Sequence, residues 1–180
     1  MIFTPTPVPG AYVIEPERRE DERGFFARTW CARDFEAEGL NPHLAQCSIS
    51  YNVRRGTLRG MHYQVSPFEE VKLIRCTRGA IFDVIVDLRP ASTTFTRYFS
   101  KELTADNRAM LYVPAGCAHG FMTLEDDTEV FYQMSQMFHP AHARGVRWND
   151  PVFGIEWPNL PPIMLERDRS YPDVNLEDLA

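Results

Sequence analysis

From residue 45 onward, apolar and polar positions alternate in short runs broken by turns. The run LAQCSISYNV alternates, and VKLIRCT, AIFDVIVDLRP, RYFSKELT, AMLYVPAG, HGFMTLE and TEVFYQMSQMF follow it. β-Branched and aromatic residues are frequent in these runs, which suits pleated strands whose side chains point alternately to two faces. Turn signals separate the runs at Arg78-Gly79, Pro90-Ala91-Ser92, Ala105-Asp106-Asn107, Pro114-Ala115-Gly116 and Glu125-Asp126-Asp127. Roughly eight short strands at intervals of about 8–12 residues predict an all-β sandwich or barrel, most simply a jelly roll. Ahead of them, residues 1–16 are proline-rich and extended, with one strand-like piece at 11–14. Residues 17–22 read as a charged turn, and 32–38 have helical composition with Gly39 as the C-cap. The segment after Trp157 is proline-rich and is expected to form one or two short helical turns over the sandwich. No repeat, low-complexity tract or linker divides the chain. One domain over 1–180 is therefore expected, with an N-terminal arm over about 1–22 and a C-terminal tail over about 158–180.

The alternation also sorts the polar residues by face. Lys72 falls with Ile74 and Cys76, Asp83 with Ile81, Ile85 and Asp87, and Tyr132 with Val130 and Met134. A buried lysine or aspartate is costly unless paired. Two readings of Lys72 and Asp83 follow, an internal ion-pair network or the lining of a polar pocket inside a barrel. Lys72 also belongs to the stretch over 56–79, GTLRGMHYQVSPFEEVKLIRCTRG. There Arg59, His62 and Gln64 precede a turn at Pro67 and Lys72 follows it, so a cation, an imidazole and an ammonium sit on two strands. His119 starts a strand after the tight bend at Pro114 and Gly116. His43, His139 and His142 lie near proline or arginine in loops and are expected to be solvated.

Composition narrows the classes. Hydrophobic content of 44% and aromatic content of 12% fit a folded domain with a real core. The net charge of -6 argues against a nucleic-acid partner and leaves room for a local basic pocket around a phosphate ester. No apolar run approaches the roughly 18 residues of a membrane span, so no membrane partner is expected. The N-terminus lacks a basic segment followed by an apolar one, so no secretory leader is expected and the cytoplasm is the expected compartment. The four cysteines, Cys31, Cys47, Cys76 and Cys117, form no CxxC and are expected to be buried free thiols.

His62-x-Gln64, then Glu70 and Gly79, and later Pro114-x-Gly116-x-x-His119, follow the two-part pattern of a cupin barrel. Metal-binding cupins draw two histidines and a glutamate from the first part and a histidine from the second. Here Gln64 stands where the second imidazole belongs. The set His62, Gln64, Glu70 and His119 would hold an ion weakly, so a metal-dependent cupin enzyme is the alternative rather than the first expectation. No metal and no cofactor is expected.

The segments RGMHYQ, EVKLIRCTRGAIFDVIVDLRP, VPAGCAHGF, VFYQM and RWNDPVFGIEWP closely resemble, in order and spacing, the dTDP-4-dehydrorhamnose 3,5-epimerases. These are metal-free cupins of deoxysugar biosynthesis, and the resemblance runs from about residue 23 to residue 168. It implies a cupin-type jelly-roll barrel with short flanking helices. It implies a nucleotide-diphosphate 4-keto-6-deoxysugar as substrate, whose ketone acidifies the hydrogens on carbons 3 and 5. A base removes one, an enolate forms, and an acid returns a proton from the opposite face. By resemblance His62 is the base, Asp168 fixes its tautomer, Lys72 stabilises the oxyanion on carbon 4, and Tyr132 is the acid. Arg59 and Arg23 would grip the pyrophosphate. His119 would touch substrate, and Asp83 would orient Lys72 or an imidazole.

The departures fall on substrate-binding positions. Arg28 replaces a glutamate, Ser48 replaces an asparagine between the retained Gln46 and Ser50, and Phe138 replaces the tyrosine that stacks on thymine. Ala143 replaces another glutamate, and Arg167 replaces a lysine and keeps its charge. The proton-transfer residues are intact. Epimerisation at carbon 3, carbon 5 or both is therefore expected, with the nucleotide and sugar left open. A non-catalytic sugar-nucleotide binder is a further alternative, but it has no use for a base and an acid on opposite sides of a ring. The resemblance also implies a homodimer, in which an N-terminal strand joins the partner's sheet and Phe26 reaches the partner's site.

Overall fold

The computed structural model describes residues 1–179. The alternating runs form β5 (Gln46–Asn52), β6 (Leu58–Gln64), β7 (Lys72–Arg78), β8 (Ala80–Asp87), β9 (Tyr98–Thr104), β10 (Met110–Val113), β11 (Cys117–Thr123) and β12 (Thr128–Met134). Ahead of them lie β1 (Ile2–Pro5), β2 (Tyr12–Glu15), β3 (Arg19–Asp21), β4 (Gly24–Phe26) and the helix α1 (Ala32–Ala37). After them come β13 (Ala143–Gly145), the short helix α2 (Glu166–Arg169) and a 3-10 turn at Leu176–Leu179. The expected charged turn over 17–22 is instead one arm of the β3–β4 hairpin. Asp21 accepts a hydrogen bond from the Arg23 backbone N–H at 2.9 Å and so closes the turn. Every residue of that hairpin is exposed, so its strands carry no buried-exposed alternation to read.

Two antiparallel sheets make the barrel, in the orders β1-β2-β10-β7-β12-β5 and β13-β6-β11-β8-β9. This is a cupin-type jelly roll with short flanking helices. The core between the sheets holds Leu111 together with Ile74, Cys76, Ile81, Ile85 and Val130, the last five being apolar neighbours that alternation assigned to Lys72, Asp83 and Tyr132. Both sheets are also apolar on their outer faces. Ile14, Leu73, Met110 and Tyr112 pack under Phe35 of α1, and Met61, Val84, Val86 and Ala118 pack under Val146 and Phe153. Burial on two sides explains why β8 reads as a near-continuous apolar run. Gly39, at φ +71, supplies the left-handed residue that ends α1.

Two expectations need correction: the cysteines are not all buried, Cys31 being only partly so, and His139 and His142 are not solvated. Cys47 is exposed, because β5 is the edge strand and its outer face, with Ile49 and Tyr51, lies uncovered. Cys76 and Cys117 are buried, and burial pushes their thiols up to about 11 and about 12. His139 and His142 are partly buried rather than solvated, since Phe68 stacks on His139 with centroids 3.6 Å apart and meets His142 edge-on at 4.5 Å. His43 is exposed. Among the described residues no helix is long and apolar enough to cross a membrane.

The loop from β8 to β9 is closed by Asp87. This buried carboxylate accepts from Arg89 Nε at 2.7 Å, Ser92 Oγ at 2.6 Å and Thr94 Oγ1 at 2.7 Å. Burial alone would raise its pKa, but these donors outweigh burial and hold it at about 2. The folded value lies below the unfolded value of about 3.9, so the stabilisation is present above about pH 4 and lost as pH falls through about 2. Asp87→Asn is expected to cost roughly 2 kcal/mol near neutrality and almost nothing near pH 2. Thermal unfolding across that range checks this, and a gap that does not close in acid would contradict it.

Candidate active site

A cavity of about 840 Å³ opens between the two sheets. His62, Lys72, Tyr132 and Asp168 all line it, and so do Gln46, Ser48, Arg59, His119, Phe138 and Arg167. Strict alternation along β6 would place Arg59 and His62 on opposite faces. Both reach the cavity because the strand is irregular between them. Gly60 has φ +133, and the β6–β11 pairing shifts register between His119 and Phe121. A Cβ at Gly60 would fall 2.5 Å from the Gly120 Cα, so a side chain there is excluded.

His62 is held from the tail. Its Nε2 lies 2.9 Å from Asp168 Oδ1, which makes Nε2–H the donor and leaves the lone pair on Nδ1. Asp168 sits on α2, is almost fully buried, and also accepts from Arg167 Nε at 3.0 Å and the Gly60 N–H at 3.4 Å. Burial works to raise the Asp168 carboxyl, but His62, Arg167 and Gly60 together outweigh it and hold it below the ordinary range. Tyr132 comes from the opposite sheet, where β12 pairs it with Ile74 and Ser48. The imidazole and the phenol therefore face the cavity from different walls.

Lys72 is buried on β7, donates to the His62 carbonyl at 3.1 Å and pairs with Glu70 Oε1 at 2.8 Å. The two readings of Lys72 thus coincide, because it belongs to an ion pair and lines the cavity. Asp83 stands behind the cavity wall. Its Oδ1 is 2.7 Å from His119 Nε2, so it orients an imidazole, and the carboxylate paired with Lys72 is Glu70. Burial raises the Asp83 carboxyl, and His119 and Lys72 offset this only in part.

The residues considered for a metal do not fit one. Gln64 spends its amide on backbone, donating to the Phe68 carbonyl at 2.9 Å and accepting from the His139 N–H at 2.6 Å. Glu70 is committed to Lys72. Among the described residues no three His, Cys, Asp or Glu side chains are grouped to hold an ion.

At the open end, Arg59 Nε donates to Asn52 Oδ1 at 2.8 Å, and Asn52 is itself fixed to the Ser50 and Thr128 carbonyls. The terminal guanidinium nitrogens are not spent on this bond. Phe138 is 55% exposed at the mouth, and its N–H donates to Gln46 Oε1 at 3.0 Å. Arg23, Phe26 and Arg28 are not among the lining residues. Arg23 pairs with Asp21 at 2.7 Å on the hairpin, and Phe26 is 68% exposed. Glu70 as the lysine's partner was missed, although period-two alternation puts it on Lys72's face. Tyr171 and Arg144 also line the cavity, and neither lies in a periodic segment that could have signalled it.

The model of the dTDP-4-dehydrorhamnose 3,5-epimerase family matches residues 5–175. The dTDP-4-dehydrorhamnose 3,5-epimerase of Sinorhizobium fredii is 41% identical over 175 residues, covering 97% of this chain and 90% of that protein. The crystal structure of the Bacillus anthracis dTDP-4-dehydrorhamnose 3,5-epimerase with TDP and PPi bound superposes with a TM-score of 0.92 at 39% identity, over 96% of this chain and 99% of that one. A 4-keto-6-deoxy sugar epimerase from the novobiocin biosynthetic gene cluster of Streptomyces spheroides superposes with a TM-score of 0.89 at 35% identity, over 99% of this chain and 88% of that one.

Proposed function

Because the chain belongs to the dTDP-4-dehydrorhamnose 3,5-epimerase family, we propose that His62 and Tyr132 are the base and acid with which it inverts its substrate. The enzyme is an isomerase of deoxysugar biosynthesis that epimerises a nucleotide-linked 4-keto-6-deoxyhexose. The observation that carries the assignment of roles is the placement of the two groups on opposite sheets, with Lys72 buried between strands beside His62. His62 Nδ1 takes the proton from carbon 3 or 5 and becomes imidazolium, which Asp168 stabilises. The C–H electron pair moves into the ring, and the carbonyl on carbon 4 becomes an enolate oxygen beside the Lys72 ammonium. The Tyr132 hydroxyl then gives its proton to the opposite face of the same carbon, and the ketone re-forms. Solvent returns the proton to Tyr132 and removes the one on His62.

The substrate we propose is a thymidine diphosphate sugar, with Phe138 stacking on the base and Arg59 on the pyrophosphate. Gln46, Ser48, His119 and Arg167 surround the remainder. Asp83 holds His119 in place. We further propose that the working unit is a homodimer in the cytoplasm and that each chain acts as one domain. The exposed hairpin and the free edge of β5, with Ile49 63% exposed, support a second copy. Arg23, Phe26 and Arg28 would then serve the partner's cavity, which is where the charge reversal at Arg28 would be felt.

Incubating dTDP-4-keto-6-deoxyglucose with the enzyme in D2O tests the reading. Deuterium is expected at carbons 3 and 5, and no label from any nucleotide-linked 4-keto-6-deoxysugar would overturn it. Tyr132→Phe is expected to keep exchange while inversion falls by roughly 10²-fold, as follows from losing the acid and keeping the base.

A further inference from the structure

Tyr171, just beyond α2, lines the same cavity as His62. Its ring meets the His62 imidazole edge to face, with centroids 6.3 Å apart and planes at 72°. The ring rests on Gly145 of β13, the residue paired with His62 across the β13–β6 ladder. A Cβ at Gly145 would fall 2.2 Å from the Tyr171 Cζ and 2.6 Å from its hydroxyl. The backbone of Gly145 is outside the left-handed region, so no turn requires a glycine there. What the missing side chain does provide is the seat of the Tyr171 ring.

The hydrogen bond that His62 Nε2 gives to Asp168, with Arg167 Nη2 at 3.3 Å from the same nitrogen, fixes one nitrogen of His62, but the terminal torsion of a histidine is broad and the ring can still pivot about that nitrogen. The Tyr171 ring supplies a further restraint on the imidazole plane. We propose that Tyr171, seated on the bare Cα of Gly145, is a positioning residue that sets the plane of the His62 imidazole for proton abstraction. The proposal rests on His62 being the base. The ring rather than the hydroxyl does this work, because the contact with His62 and the seat on Gly145 are both made through the ring. A base turned away from its substrate proton loses rate without losing substrate affinity, because geometry near the reacting atoms enters the transition state and not the ground-state contacts.

The test is solvent exchange at saturating and limiting substrate, with Tm alongside. The variants are Tyr171→Phe, Tyr171→Ala, Tyr171→Leu, Gly145→Ala and the Gly145→Ala/Tyr171→Ala pair, with His62→Ala as reference. Tyr171→Phe should stay within about twofold of the parent, while Tyr171→Ala and Gly145→Ala should each lose roughly tenfold in kcat at nearly unchanged KM. The pair should be no slower than Tyr171→Ala alone, since the new methyl then meets empty space. Tyr171→Leu, which keeps bulk without a ring, should lose as much and serves where the alanine variant does not fold. The proposal is overturned if the alanine and leucine variants keep kcat, if phenylalanine loses as much as alanine, or if the losses in the pair multiply. Exchange surviving in His62→Ala would instead overturn the assignment of the base.

Discussion

Replacing His62 with alanine is expected to lower solvent exchange at carbons 3 and 5 by about 10²–10⁴-fold, the usual contribution of a positioned general base. The fold should survive. The His62 side chain is one-third exposed, so its removal opens no closed cavity in the core. Asp168 keeps Arg167 Nε at 3.0 Å and the Gly60 N–H, so its carboxylate is not orphaned. Its pKa should rise, because the imidazole is one of the groups that hold it down. A folded variant with unchanged nucleotide affinity and no exchange separates the loss of the base from loss of the site. Exchange at the parent rate in a folded His62→Ala would show that another group abstracts the proton.

Lys72→Met should fail in two distinguishable ways. The first is chemical. Loss of one preorganised donor to a developing oxyanion costs roughly 10²–10³-fold in kcat. The second is structural. Lys72 and Glu70 are both about nine-tenths buried and 2.8 Å apart. Removing one partner of such a pair leaves the other charge uncompensated, at about 3–5 kcal/mol. Glu70→Gln in the same chain removes the stranded charge, so the pair of substitutions should recover most of the Tm while kcat stays low. Circular-dichroism melts and exchange rates on the same samples read the two effects apart. Activity returning together with Tm would mean that Lys72 acts only through the fold.

The barrel was legible where one face of a strand is buried and its neighbours alternate. The faces of Lys72, Asp83 and Tyr132 came from that pattern and agree with the inner core. The pattern failed where burial does not vary along the strand, as in the wholly exposed β3–β4 hairpin. It also failed at Gly60, where a shift of register rather than period two brings Arg59 and His62 to one cavity. No local rule joins Asp168 to His62, which lie 106 residues apart, because their meeting depends on how the tail crosses the finished sheet. The family resemblance supplied that link. It did not supply Glu70 beside Lys72 or Tyr171 beside His62, since motif spacing along the chain does not say which side chains meet in the folded site.

The position of Asp168 after the last barrel strand also bears on biosynthesis. During translation the two sheets can close, and their core can form, while α2 is still inside the ribosome. A nascent chain at that stage would hold the imidazole, the ammonium and the phenol without the carboxylate that selects the working tautomer. On the proposed roles, competence therefore waits for the segment that follows the barrel, so that turnover reports a docked α2 and not merely a closed barrel.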